Sequence, residues 1–244
     1  MNKIFSSDLR SQAVHKWNLC TSKKGVVFLA LFTILALIAI NVKIFAIQGI
    51  TGNSFTLFEF FGPMAGGFLG IAGAGIAGIV KVASVLTGGA SLTLLDGLRL
   101  TSMLFAALYF SRNGLKGMKD KLGVAIPVLA MLAFWAHPIG QQAWFYALYW
   151  LVPIAAKFLP ENIILRSLGA TFTAHCMGSI WFLYTFETTA TLWTGLIPVV
   201  AVERGLFALG IAASYVVFTN ILSWADKSFE IGKYVTLEKK YILQ

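Results

Sequence analysis

Asp96 and Arg99 stand three residues apart inside a long apolar run, a spacing that puts both side chains on one helical face within pairing reach. The pair serves either as a self-neutralising ion pair or as the lining of a site for a polar solute. Glu203 and Arg204 lie midway through another run, LIPVVAVERGLFALGI. Neighbours on a helix diverge by about 100°, so each is expected to need a partner on another helix, with Arg166, Glu187 and Asp96 the available opposites. His175 sits in RSLGATFTAHCMGSIWFLYT, where Thr171, Thr173 and Ser179 make this the most polar of the long runs. It is either an interhelical hydrogen-bonding group or a ligand- or proton-handling one. A charged group among hydrocarbon-facing helices costs at least about 2.5–3.5 kcal/mol, which makes each one a candidate for function. The candidate solute contacts are therefore Asp96, Arg99, Arg166, His175 and Glu203, each a solute contact or a member of a buried ion pair. His137 precedes Pro138, which pushes it out of the α region and marks a helix terminus and turn.

Elements long and apolar enough to hold such groups dominate the chain. Of its 244 residues 58% are hydrophobic and 12% charged, against about 25% charged and about 45–50% apolar in soluble domains. A helix needs about 20 mostly apolar residues to cross a bilayer core about 30 Å thick. Seven apolar stretches are read, at 26–44, 62–80, 83–110, 122–136, 141–159, 163–185 and 192–222. The fold class expected is all-α, a polytopic transmembrane helical bundle. A polar segment occupies 1–25, the bundle 26–222 and a polar tail 223–244.

The net charge of +9 comes without a basic stripe of interleaved aromatics outside the apolar runs, so a membrane surface is expected as partner and nucleic acid is not. Lys3, Arg10, Lys16, Lys23 and Lys24 in the first segment, the loop from Arg112 to Lys121, and Lys227, Lys233, Lys239 and Lys240 in the tail should all face the cytoplasm. Both termini are then cytoplasmic, in a multi-pass protein of the plasma membrane. If the first span exits and the second returns, 83–110 must begin and end on the same side. Either it is a broken or re-entrant pair of helices around Gly88-Gly89, or the basic loop lies outside. The count expected is six full spans plus one irregular element. Cys20 and Cys176 are read as free thiols.

Gly62, Gly66, Gly70, Ala74 and Gly78 recur every four residues in FFGPMAGGFLGIAGAGIAGIVK. Such a small-residue stripe lets two helices approach closely in lipid, either within the chain's own bundle or against a partner. Pro63 fits a first helical turn, where its missing N–H is harmless. Trp135, Trp144, Tyr146, Tyr149 and Trp150 flank the turn at 137–141, as an interfacial aromatic belt or as a stacking pocket. No phosphate-loop, HExxH or GxSxG motif occurs, so no cofactor, no metal site and no enzymatic activity are expected.

The F-G-P-x-x-G-x-x-x-G segment (Phe61, Gly62, Pro63, Gly66, Gly70) resembles that region of the substrate-binding S components of energy-coupling factor vitamin transporters. Chain size, basic tails and a last span led by Leu196-Ile197-Pro198 are similar too. The resemblance implies a helical bundle that captures a vitamin or other micronutrient and docks on a transmembrane coupling subunit driven by ATPase subunits. Family members use an alanine-x-x-x-alanine pattern on the first helix for docking. Here Ala30, Ala36 and Ala39 depart from it, and the glycine stripe is the alternative docking face. The function expected is solute binding in an ATP-driven importer. The alternative is a non-catalytic structural subunit of a larger membrane complex, and a third, an intramembrane enzyme using His175, lacks a visible nucleophile or metal cluster.

Overall fold

A computed structural model of the chain describes residues 23–46, 54–87, 96–111 and 118–243. The first basic segment, Gly88-Gly89, most of the stretch 112–121 and the Asp96 side chain lie outside the described residues. Nine α-helices run in chain order among them: α1 Lys23–Asn41, α2 Phe58–Leu69, α3 Ile71–Thr87, α4 Asp96–Phe110, α5 Met118–Ala136, α6 Pro138–Gln142, α7 Leu151–Ala155, α8 Ile163–Thr185 and α9 Ala190–Phe229. The described residues are all-α apart from one small antiparallel ribbon, β1 Lys43–Ala46 against β2 Ser54–Thr56, which the hydropathy pattern did not announce. A 3₁₀ segment, Trp144–Trp150, joins α6 to α7.

Helix starts follow local capping chemistry. The Asn162 side chain accepts from Leu165 N at 2.9 Å to open α8, and Thr189 accepts from Leu192 N at 3.2 Å to open α9. His137 Nδ1 accepts from Ile139 N at 3.2 Å with Pro138 in the first turn of α6, so this histidine is the helix terminus that its proline implied.

The expectation of six full spans is not met. Among the described residues one helix, α9, is long and apolar enough to cross a membrane; its 40 residues, at about 1.5 Å each, run about 60 Å. The helix α8 has the length, but Arg166, Thr171, Thr173, His175 and Ser179 keep its hydropathy low. The other apolar segments of ten residues or more, such as Gly97–Phe110 and Lys121–Ala136, are shorter.

The stretch 62–80, expected as one helix, is two. Gly70 takes φ +61°, a conformation side-chain-bearing residues rarely adopt, and the chain turns there from α2 into α3. The small residues are consumed by packing inside the chain: a Cβ on Gly66 would overlap the Ala107 carbonyl of α4, and one on Gly73 the Ala65 carbonyl of α2. Gly62 lies against Met103, Ala74 is fully buried, and Gly78 rests near Leu104. Pro63 is inside α2 rather than in its first turn, because Phe58 and Phe61 are buried and draw the helix start upstream. Burying two such rings is worth about 1.5–3 kcal/mol each, comparable with the roughly 3 kcal/mol a mid-helix proline costs. Likewise Pro198 lies within α9, not at its head.

Two apolar clusters meet along α8. One gathers Phe58, Phe61, Phe68, Met103, Phe110, Ala170, Ala174 and Tyr215; the other gathers Phe134, Tyr146, Trp150, Phe172, Cys176, Trp181 and Trp193. The helix α8 packs along α4 on one side and α9 on another, and so faces both clusters. The residues after α9, expected as a surface tail, fold back: Thr236 N bonds Phe68 O at 2.9 Å, and Asn220 holds Tyr241 O at 2.9 Å and Leu243 N at 2.7 Å.

Replacing Gly66 or Gly73 with alanine is expected to cost about 1–3 kcal/mol, since backbone carbonyls cannot step aside. Gly75→Ala, with no atom within 4 Å of the new Cβ, should be neutral or stabilise by up to about 1 kcal/mol. Thermal unfolding of the purified variants checks the contrast; equal losses at all three positions would contradict the close helix approach.

Candidate functional site

Where the two clusters meet, the helices leave a cavity of about 150 Å³. Three helical faces build it at i, i+3, i+4 spacing: Arg99, Ser102 and Met103 on α4; His175, Gly178, Ser179 and Phe182 on α8; Trp193, Leu196, Val200, Glu203 and Arg204 on α9. The helix α2 adds Glu59, α3 adds Lys81, the 3₁₀ segment adds Tyr146, and β2 closes a wall with Ser54 and Phe55.

Arg204 is 2% exposed. Its Nη1 donates to Thr171 Oγ1 at 3.3 Å and its Nη2 to Glu203 Oε2 at 3.4 Å, both long for a charged donor, while its Nε has no hydrogen-bond partner. The guanidinium lies over the rings of Phe207 and Phe55, 4.4 and 4.9 Å from their centroids. The expectation that Glu203 and Arg204 could not meet is corrected here. The backbone directions do diverge, but the arginine side chain is long enough to fold back to its neighbour.

His175 is held by three side chains. Trp150 Nε1 donates to Nδ1 at 3.2 Å; Tyr146 Oη lies 3.0 Å and Ser179 Oγ 3.4 Å from Nε2. Indole N–H is only a donor, so Nδ1 is an acceptor and the imidazole is neutral, with its proton on Nε2 toward Tyr146. Around it Phe134 stacks on Tyr146 at 5.7 Å and Trp193 meets Tyr146 at 4.7 Å. The residues expected as an aromatic belt therefore divide: Trp144 is exposed and Trp135 half-buried, while Tyr146 and Trp150 are interior. Arg99 places its guanidinium 4.9 Å from the Trp181 ring centre.

Of the candidate solute contacts, Arg99, His175 and Glu203 line one cavity. Arg166 does not. It is buried between Phe110 and Tyr215, 4.0 and 4.8 Å from their ring centres, and Nη1 forms an ion pair with Glu238, which also accepts from Tyr215 Oη at 3.0 Å. Its closest partner is on the returning tail, 72 residues on, and Glu161 just before α8 lies 3.6 Å from the same Nη1. The Asp96 side chain lies outside the described residues. Lys81 and Glu59 were not singled out from the sequence. A lone lysine inside an apolar helix and a lone carboxylate within FEFF were the available signals. Among the described residues no group of three or more His, Cys, Asp or Glu side chains is placed to hold a metal ion. Comparison with protein-family models, with curated proteins and with solved structures finds no match.

Removing Glu238 leaves the buried Arg166 with only the exposed Glu161 carboxylate at 3.6 Å, so Glu238→Ala is expected to lose about 3 kcal/mol in denaturation of the purified chain. Coupling Glu238→Leu with Arg166→Met should recover most of that. If Glu238→Ala melts like the parent, the returning tail is not clamped by this pair.

Proposed function

We propose that the chain is a membrane-embedded helical protein that binds a small solute in this cavity, serving as the solute-binding subunit of an ATP-driven importer. The observation that carries the proposal is an inversion of the usual distribution of polarity. Glu59, Lys81, Arg99, His175, Glu203 and Arg204, from five helices, converge on one interior hollow. The outward face of α9 meanwhile presents Val202, Leu206, Leu209, Val217, Ile221 and Trp224, and α1 presents Val27, Leu31, Ile34 and Ile38. Water-soluble proteins put such groups the other way round, and exposed apolar faces of this extent suit lipid or a membrane partner. Embedding also explains why the ionisable groups gather: away from water, each needs a polar neighbour or a wet interior.

The importer role rests on the resemblance of the Phe61–Gly70 segment to S components, with capture of a micronutrient-class solute by this chain and ATP hydrolysis by separate subunits. Docking on a coupling subunit would use an outward face. The glycine stripe is occupied by α4, and Ala36 and Ala39 are buried, whereas the apolar stripe of α1 is open. The plasma membrane, with basic segments on the cytoplasmic side, is the proposed location.

Gly178 lines the cavity with no atom within 4 Å of where its Cβ would stand. A Cβ there meets open space, so a leucine is expected to extend into the hollow. Native mass spectrometry of the chain purified in mild detergent is expected to show a stoichiometric small-molecule adduct. Gly178→Leu should abolish the adduct and leave the unfolding temperature equal or higher. A parent chain without adduct that instead copurifies with protein partners lacking ATPase subunits would favour the structural-subunit alternative.

A further inference from the structure

We propose that the solute is a compact, single-ring organic anion, and that Arg204 grips its carboxylate-type group along the Nε–Nη2 edge; this inference rests on the cavity being a solute site. Size comes first. A hollow of about 150 Å³ is the volume at which an engineered apolar cavity accommodates one benzene, so one ring with one or two small substituents fills it. The walls suit a ring, since Trp193, Tyr146 and Phe182 line the space and offer flat contact area.

Charge comes second. Among the described lining residues Lys81, Arg99 and Arg204 are basic and Glu59 and Glu203 acidic, while His175 is held neutral by the Trp150 indole. Three basic side chains therefore face the space, from α3, α4 and α9. Arg204 makes the demand specific. It is buried to 2% exposure, lines the cavity, and leaves Nε without an acceptor. Its Nη2 touches Glu203 only at 3.4 Å. A guanidinium offers its Nε–H and Nη2–H as two parallel donors, the fork that a carboxylate accepts in bidentate fashion. An entering anion completes that fork and displaces the loosely held Glu203 carboxylate from it. A neutral carbonyl can meet one donor of that edge but neither accepts from both in parallel nor balances the guanidinium charge, and a cationic occupant faces the same three basic groups. Arg166, the other deeply buried arginine, also has Nε and Nη2 without a hydrogen-bond partner, but carboxylates of Glu238 and Glu161 already sit on it and it does not line this cavity.

Benzoate, benzamide and benzylamine share a ring and differ in charge, so they test the inference directly. Calorimetric titration of the purified full chain is expected to give benzoate an affinity at least about tenfold above the other two. Gly178→Leu should eliminate benzoate binding, which places it in the cavity. Arg204→Gln should bring benzoate down to the level of benzamide. Should that variant fail to fold, Glu203→Gln decides by its opposite sign: freeing the Arg204 edge should tighten benzoate severalfold. Benzamide or benzylamine binding as tightly as benzoate would overturn the anion while leaving the solute-binding reading intact. Benzoate binding unchanged by either Arg204→Gln or Glu203→Gln would overturn the role of Arg204. Failure of all three probes would overturn the inference, and the copurifying adduct would then decide the broader reading separately.

Discussion

A guanidinium cannot be left alone in an apolar interior. Taking a charge out of water costs several kcal/mol even after relaxation, so each buried arginine dictates what surrounds it. The fold answers this demand twice. Around Arg166 it supplies two carboxylates, a phenol and two ring faces, recruiting the segment beyond α9 to do so, with Nε and Nη2 left unmet but away from the hollow. Around Arg204 it supplies a hydroxyl, a neighbouring carboxylate at 3.4 Å and two ring faces, but leaves one donor unmet beside a hollow. The first environment is closed and structural. The second is open, and the openness is what gives it a use.

The helices are arranged to hold that hollow. Gly70 bends α2 into α3, and the absent side chains at Gly66 and Gly73 let α2, α3 and α4 approach to backbone contact. That compaction brings Glu59, Lys81 and Arg99 to the same place from three separate helices. On the other side the network of Trp150, His175, Tyr146 and Ser179 fixes the wall of α8 through directional bonds rather than shape alone. Rigid walls suit a site that selects by charge and flatness, because a pre-formed pocket spends little binding energy on ordering itself.

Which of this was visible in the sequence depends on range. The helical class and the inward placement of Arg99, His175 and Glu203 follow from charges set among apolar residues, since nothing else on the chain gives them a tolerable environment. The capping role of His137 follows from the proline beside it. Three things were not legible. The pairing of Arg166 with Glu238 joins residues far apart in the chain, and Glu238 sits in a segment whose composition reads as surface. The turn at Gly70 looks like one more rung of a regular stripe, because periodicity reports the face of a residue and not its φ. Nor was it legible which apolar side chains the interior uses, such as Phe68 and Trp193, because hydropathy marks apolar residues but not what they pack against.

Experimental determination of the purified protein at a resolution that shows the cavity tests the central claim most directly. The account requires density not belonging to the protein between Arg204, Trp193 and His175, in contact with the Arg204 guanidinium. A hollow collapsed by side-chain repacking, with Arg204 Nε seated on an acceptor from the chain itself, would contradict it.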